Sequence, residues 1–308
     1  MIKGRRDFTA MGCPCALHAY APDNEALNAA FDAAQQEVLR IEAKYSRYRD
    51  DSVVAAINAA AGQGSAVTVD EETVALLNYA QTVFEESEGV FDITSGVLRK
   101  IWRLREGIIP DAGEVEALLP DIGWSQVSWQ APAIHLPRVG MEIDFGGFGK
   151  EYAADRSADV LRLHGIRHGL VDLGGDVHVV GPHPDNSAWQ IGVRHPQHRD
   201  RPIARVALRQ GAMATSGDYE RVLVKDGQRY SHLLDPRSGM PIKDNPASVS
   251  VLAERCLLAG TASTVAMLRG PLAEPWLQAM GLPWMLVTQQ GQLRGSAMDA
   301  TSTAGLEN

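Results

Sequence analysis

Residues 141–154 read Met141-Glu142-Ile143-Asp144-Phe145-Gly146-Gly147-Phe148-Gly149-Lys150-Glu151-Tyr152-Ala153-Ala154, and the change of texture inside this stretch decides the fold class. A short β-like run ends at Asp144, glycines punctuate residues 146–149, and a helix then runs from Glu151 to about His164 along the stripe Ala153, Ala154, Ala158, Leu161 and Leu163. Strand, glycine turn and helix in that order form a phosphate-binding element. Glycine lets a backbone approach an anion closely, and the first N–H groups of the helix point at it. Lys150 adds a positive charge at the same place.

On the N-terminal side the chain reads as helical. Leu27, Ala30, Phe31, Ala34, Val38, Leu39 and Ile41 recur at helical spacing over residues 25–45, with Asp23 or Asn24 as the cap. A second helix starts at Asp70 or Glu71 and ends near Ser87, and a third is predicted over residues 95–105. On the C-terminal side strands dominate: 127–129, 134–136, 170–173, 177–180, 189–193, 203–208, 221–225, 229–232 and 248–252, with Gly and Pro between them as in antiparallel hairpins. Residues 256–267 predict a last buried helix, and 284–287 with 292–295 close a hairpin. No low-complexity tract or linker divides the chain. The expectation is an α+β fold of antiparallel-rich sheets packed with helices, in a single domain over 1–308.

With 45% hydrophobic and 22% charged residues, the 308-residue chain has the composition of a soluble globular protein. A net charge of −9 argues against a nucleic-acid partner, since phosphate backbones require a Lys/Arg surplus on some face. Cys13, Cys15 and Cys256 are too few for a disulfide framework, and Cys13-Pro14-Cys15 lacks the further cysteines of a zinc site, so these read as small thiols on a strand. The first residues carry positive charge without a signal-peptide apolar run, and no apolar stretch approaches the ~20 residues of a membrane span. The expected location is cytoplasmic with no membrane anchor; the periplasm is the alternative if the chain is a trimmed piece of an exported protein.

The chemistry concentrates in Tyr230-Ser231-His232-Leu233-Leu234-Asp235-Pro236-Arg237-Ser238-Gly239-Met240-Pro241, where an imidazole stands at a strand end before an Asp-Pro turn. Read alone, that pattern is more often an ordinary strand-edge His. Three further polar, glycine-rich strand ends accompany it: residues 144–153, Asp172-Leu173-Gly174-Gly175-Asp176, and Ala214-Thr215-Ser216-Gly217-Asp218-Tyr219. His164, His168 and His195 lack metal-ligand spacing, His178 reads as a strand-face residue, and the six Trp as core and groove packing.

In this order, and with Met11-Gly12, Tyr45-Ser46-Arg47-Tyr48, Ser52, Asn58 and Gly89-Val90-Phe91-Asp92-Ile93-Thr94-Ser95-Gly96, the set resembles the FAD:protein FMN transferase (ApbE) family over most of the chain. The resemblance implies a T-fold-like α+β architecture holding FAD between sheet and helices, and an activity that moves FMN from FAD onto a Ser or Thr hydroxyl of an acceptor flavoprotein, releasing AMP. It implies FAD contacts at Met11, Tyr48, Gly89, Val90, Phe91, Asp144, Gly146, Lys150, Thr215, Ser216, Leu234 and Asp235, with His232 as general base. Tyr48 and Phe91 would offer aromatic surface to flavin or adenine. Mg²⁺ would be held by Gly149 of the glycine loop, through its carbonyl, and by Thr264.

One departure bears on that metal. The family's late helix carries Ala-Asp-x-x-x-Thr, and this chain reads Ala259-Gly260-Thr261-Ala262-Ser263-Thr264, so Gly260 stands where the carboxylate ligand belongs. Thr261, Ser263 or waters could complete the shell; Asp144 or Asp235 could substitute; or the chain could bind FAD without transfer. A second departure, Glu151 in place of the more usual Gly, adds a carboxylate near the loop and is a further compensation. Hydrolysis of FAD to FMN and AMP is the rival enzymatic reading. Gly260→Asp separates these readings: a large gain in metal-dependent rate implies a weakened site, and no gain an alternative one.

Overall fold

The computed structural model describes residues 1–196, 201–218, 222–225 and 227–297. The predicted strand start at Arg221, and Tyr219 of the third glycine-rich segment, lie outside the described residues. The centre of the fold is an eight-stranded antiparallel sheet whose strands follow one another in chain order. They are β1 (Ile2–Ala10), β2 (Cys13–Ala21), β3 (Gly169–Leu173), β4 (Asp176–Gly181), β5 (Gly211–Gly217), β6 (Ser248–Ala253), β7 (Trp284–Val287) and β8 (Leu293–Arg294).

Alternation along the strands divides the core in two. Val171, Leu173, Ala212, Ala214, Val249 and Val251 face one way, into a cluster shared with α1 (Asn24–Tyr45), α2 (Gly149–Leu163) and α3 (Cys256–Leu268). Leu170, Val177, Val179, Met213 and Leu252 face the other way, where a hairpin of Trp189–Arg194 with Pro202–Leu208 covers them. Every residue of β4 and β6 is therefore buried. That two-sided cover explains their apolar sequences, because a sheet hidden on both faces loses its in–out alternation. Trp102, Trp124, Trp189 and Trp284 are all core residues. Among the described residues no helix is long and apolar enough to cross a membrane.

Two expectations are corrected. The helix predicted over residues 95–105 is two 3-10 segments, Ile93–Lys100 and Leu104–Glu106. The Ile93 carbonyl, which a continuing α-helix would use four residues on, instead accepts the Asp144 N–H at 2.9 Å. The run before the glycine turn is not a strand: Ile143 donates its N–H to Asn58 Oδ1 at 2.7 Å and accepts from Asn58 Nδ2 at 3.1 Å. A single amide side chain thus takes the place of a neighbouring strand. Thr215 and Ser216 lie in the last part of β5, opposite Ser250 and Val249, at the strand end where they were expected. Strand β1 and the helices Val53–Ala59, Ala112–Leu118 and Ala273–Met280 were not anticipated.

The polar seam between α1, α2 and the helix Glu71–Glu86 makes stability depend on pH. Arg40 bonds Glu72, Lys44 pairs with it at 2.6 Å, and the Tyr152 hydroxyl donates to it at 2.8 Å. Hydrogen bonding to Arg40, opposed by burial, holds the Glu72 carboxyl well below its ordinary 4.5. Between the depressed and ordinary values the unfolded chain binds more protons than the folded one. The seam's contribution is therefore complete above about pH 4.5 and is lost as pH falls. In urea titrations, Glu72→Gln should flatten the loss of stability between neutral and acid pH; an unchanged slope would assign the acid sensitivity elsewhere.

Candidate functional site

The glycine turn is pinned from beneath by aromatic rings. Phe145 and Phe148 are fully buried, Phe148 stacks on Phe91 at 6.1 Å, and Tyr79 meets it edge-on at 5.6 Å. A Cβ on Gly147 would come within 2.8 Å of the Phe91 ring, so glycine is required there for close packing. This fixes the start of α2, with Gly149, Lys150 and Glu151 as its first residues.

Lys150 forms an ion pair with Asp176, a buried residue at the head of β4, and the other oxygen of Asp176 accepts the Thr215 N–H at 2.9 Å. Next along β5, Ser216 Oγ lies 2.8 Å from both Ser263 Oγ and Thr264 Oγ1 of α3. The head of α2, the strands β4 and β5, and one face of α3 are thereby joined. Of the predicted residues, this cluster gathers Gly149, Lys150, Thr215, Ser216 and Thr264.

Asp144 sits at the entry to the turn, ion-paired with Arg47 and accepting the Gly146 N–H at 2.9 Å. A Cβ on Gly96 would press on the Asp144 side chain, which ties the 3-10 segment to the same turn. Tyr48 is 80% exposed, with the Arg47 guanidinium 4.9 Å from its ring centre. The segment around His232 is organised separately. Asp235 N–H donates to Met240 O and Gly239 N–H to Asp235 O, both at 2.8 Å, while Trp102 Nε1 donates to Gly239 O at 2.8 Å. Asp235 pairs with Arg237, whose bonds outweigh burial and hold the carboxyl below its ordinary value. Leu234 packs beside Val97 and Leu98, and His232 stands exposed just past the strand Gln228–Ser231.

Several expected contacts stand elsewhere than on an open groove. Val90 and Phe91 are core residues, and the Phe91 ring braces the glycine turn. Met11 is half-buried in the β1–β2 turn with positive φ, its N–H donated to Glu42 at 2.6 Å. Gly89 ends the helix Glu71–Glu86 at φ 76°, returning its N–H to Phe84 O. A cavity of about 510 Å³ among Glu37, Arg40, Glu71, Glu72, Tyr152 and Arg156 contains none of the predicted residues.

Sequence reading missed the group that fastens α2 to α3. Buried Asp155 accepts the Cys256 and Leu257 N–H groups at 2.7 and 3.0 Å, capping α3 across space, and bonds His178 Nδ1 at 2.5 Å. His178 is thus a buried structural partner on β4 and not a simple strand-face residue. Cys13 and Cys15 lie on β2 with their sulfurs 3.9 Å apart.

A hard cation needs oxygen donors. Among the described residues no three His, Cys, Asp or Glu side chains converge on one point, so a metal here would draw on mixed donors. Thr264 Oγ1 and a carbonyl at Gly149 are of the right kind, and Glu151 Oε2 is a buried oxygen without a hydrogen-bond partner. The donor set fits Mg²⁺.

Fold and cluster together define an α+β protein in which a glycine turn, a lysine and an oxygen-rich helix face meet at the centre of one antiparallel sheet. A profile of the ApbE family matches residues 11–283, and the chain belongs to that family. It is 31% identical over 283 residues to an FAD:protein FMN transferase of Treponema pallidum (strain Nichols), covering 84% of this chain and 77% of the relative. It is 33% identical over 248 residues to one of Klebsiella pneumoniae (strain 342), covering 79% and 75%. The crystal structure of the ApbE protein of Thermotoga maritima superposes with a TM-score of 0.86 at 30% identity, covering 97% of this chain and 98% of that one. The apo flavinyl transferase ApbE of Pseudomonas stutzeri gives 0.84 at 26%, covering 99% and 98%.

Proposed function

We propose that this chain is a magnesium-dependent FAD:protein FMN transferase whose second substrate is a flavoprotein with an acceptor Ser or Thr. The observation that carries the reading is the junction of Lys150, Thr215, Ser216 and Thr264 around the start of α2, in a chain of this family.

The acceptor hydroxyl attacks the phosphorus on the FMN side of the pyrophosphate. An O–P bond forms to the acceptor, the bond from that phosphorus to the bridging oxygen breaks, and AMP leaves. His232 takes the hydroxyl proton; a general base of this kind contributes ~10²- to 10⁴-fold. Lys150 and the N–H groups at the head of α2 balance the charge that moves onto the leaving phosphate. The Gly149 carbonyl, Thr264 and a carboxylate would hold Mg²⁺. When bound, the ion supplies Lewis-acid stabilisation of the pyrophosphate oxygens. FAD contacts at Asp144, Gly146, Leu234 and Asp235 complete the proposed groove, and a cytoplasmic location remains part of the proposal.

Purified protein incubated with FAD, Mg²⁺ and flavoproteins of its own cell should add the mass of FMN, less water, to an acceptor and release AMP in equal amount. AMP release that ignores the acceptor would show hydrolysis instead, and retention of intact FAD with neither product would show a binding protein.

A further inference from the structure

We propose that Glu151 supplies the metal-binding carboxylate that the late helix lacks, so that Glu151 and Gly260 form an exchanged pair: the acid has moved from α3 to α2 and the glycine from α2 to α3. The inference rests on the magnesium-dependent reading above and names the ligand of that site.

The geometry is specific. A Cβ built on Gly260 would lie 2.9 Å from Glu151 Cδ and 3.0 Å from its Oε1, with Cγ closer still. The Glu151 carboxylate therefore fills the volume that a side chain at 260 would need. Gly260 lies inside α3, where glycine costs about 1 kcal/mol relative to alanine. Packing against Glu151 is the reason for that cost. Gly260 and Thr264 are one helical turn apart on the same face, so the Glu151 carboxylate beside 260 and the Thr264 hydroxyl lie along one face of α3.

Glu151 is 7% exposed and its Oε2 has no hydrogen-bond partner. A buried carboxylate oxygen left unmatched is unfavourable, and a divalent cation would satisfy it. Lys150 does not fill that role: its ammonium pairs with Asp176 and lies 3.6 Å from the other oxygen, Oε1. The other substitutes are engaged elsewhere. The Thr261 hydroxyl is bonded to Tyr79 at 2.9 Å, Ser263 donates to Gly260 O at 2.9 Å, Asp144 is held by Arg47 and Asp235 by Arg237. The same packing selects between the two outcomes open for Gly260→Asp, in favour of an alternative ligand and no gain. The new side chain would collide with Glu151 and set two carboxylates together, so this single variant should lower the unfolding midpoint and not raise the metal-dependent rate.

The test is Mn²⁺ titration of the purified chain, with and without FAD, read by the loss of the free-ion EPR signal. Glu151→Gln, nearly isosteric, should weaken Mn²⁺ binding by about 100-fold or more, since loss of an outer-shell partner alone costs about 10- to 100-fold and Glu151 is assigned as a direct ligand. The double variant Glu151→Gly with Gly260→Asp should bring affinity back to within a few-fold of the parent, a rescue that a merely structural role for Glu151 would not produce. Parent-like affinity in Glu151→Gln, a double variant as weak as the single one, or a parent protein that binds no Mn²⁺ in either condition would each overturn the proposal. The two readings fail separately. FMN transfer with Mn²⁺ affinity indifferent to Glu151 removes this assignment alone. Mn²⁺ affinity that follows Glu151 while no acceptor gains FMN removes the transferase alone.

Discussion

His232→Ala should lower kcat for FMN transfer by about 10²- to 10⁴-fold, the range for removing a general base, while leaving the unfolding midpoint in place. The residue is exposed and follows the strand Gln228–Ser231 without joining the core, so its loss opens no cavity. The turn beyond it is held by other groups, among them Trp102 on Gly239 O and Leu233 N–H on Ser231 Oγ. An acceptor hydroxyl stays protonated at neutral pH, and imidazole is the side chain whose unperturbed titration lies between pH 5 and 8. KM for FAD should change little, since the base acts on the acceptor and not on the dinucleotide. Stopped assays of AMP release with acceptor present would measure both constants. A variant with parental kcat would remove His232 from the chemistry.

Asp155→Ala should destabilise the protein by about 3–5 kcal/mol, the usual cost of breaking a buried charged network from one side. Both carboxylate oxygens are in use: one accepts Cys256 N–H and meets His178, the other accepts Leu257 N–H. Arg255, the residue before α3, has no side-chain cap of its own, so these first N–H groups depend on Asp155. Truncation leaves them buried beside an imidazole that keeps Arg162 at Nε2 but has lost its Nδ1 partner, and alanine offers no acceptor. Urea unfolding should show a lower midpoint at unchanged slope. A loss under about 1 kcal/mol would mean that the network relaxes or that water replaces the carboxylate.

Those two residues mark the limits of what the sequence makes legible. His232 stands out only in company: its own segment reads as an ordinary strand-edge His, and the resemblance carried by the other segments gives it a role. The glycine turn, α1 and α2 were legible, since their local spacing states their form. The role of Asp155 was not legible, because its partners are a helix start about a hundred residues away and a histidine on the strand β4. The same holds for residues 141–144 and 95–105: Asn58 and Asp144 divert backbone groups from regular ladders, and nothing local announces that. The burial of Phe91 was not legible either, since only the packing of Gly147 and Phe148 shows which way its ring faces. Glu151 and Gly260 were visible as two separate departures; their contact joins them.

One spatial claim underlies the proposed chemistry, that turns distant in sequence hold a single dinucleotide between the head of α2 and the imidazole at 232. A crystal structure of the protein with FAD and a divalent cation measures this directly. It should show the pyrophosphate within hydrogen-bonding reach of Lys150 or the α2 N–H groups, with His232 facing the FMN-side phosphorus. FAD seated elsewhere, or a pyrophosphate out of reach of His232 with or without an acceptor, would contradict it.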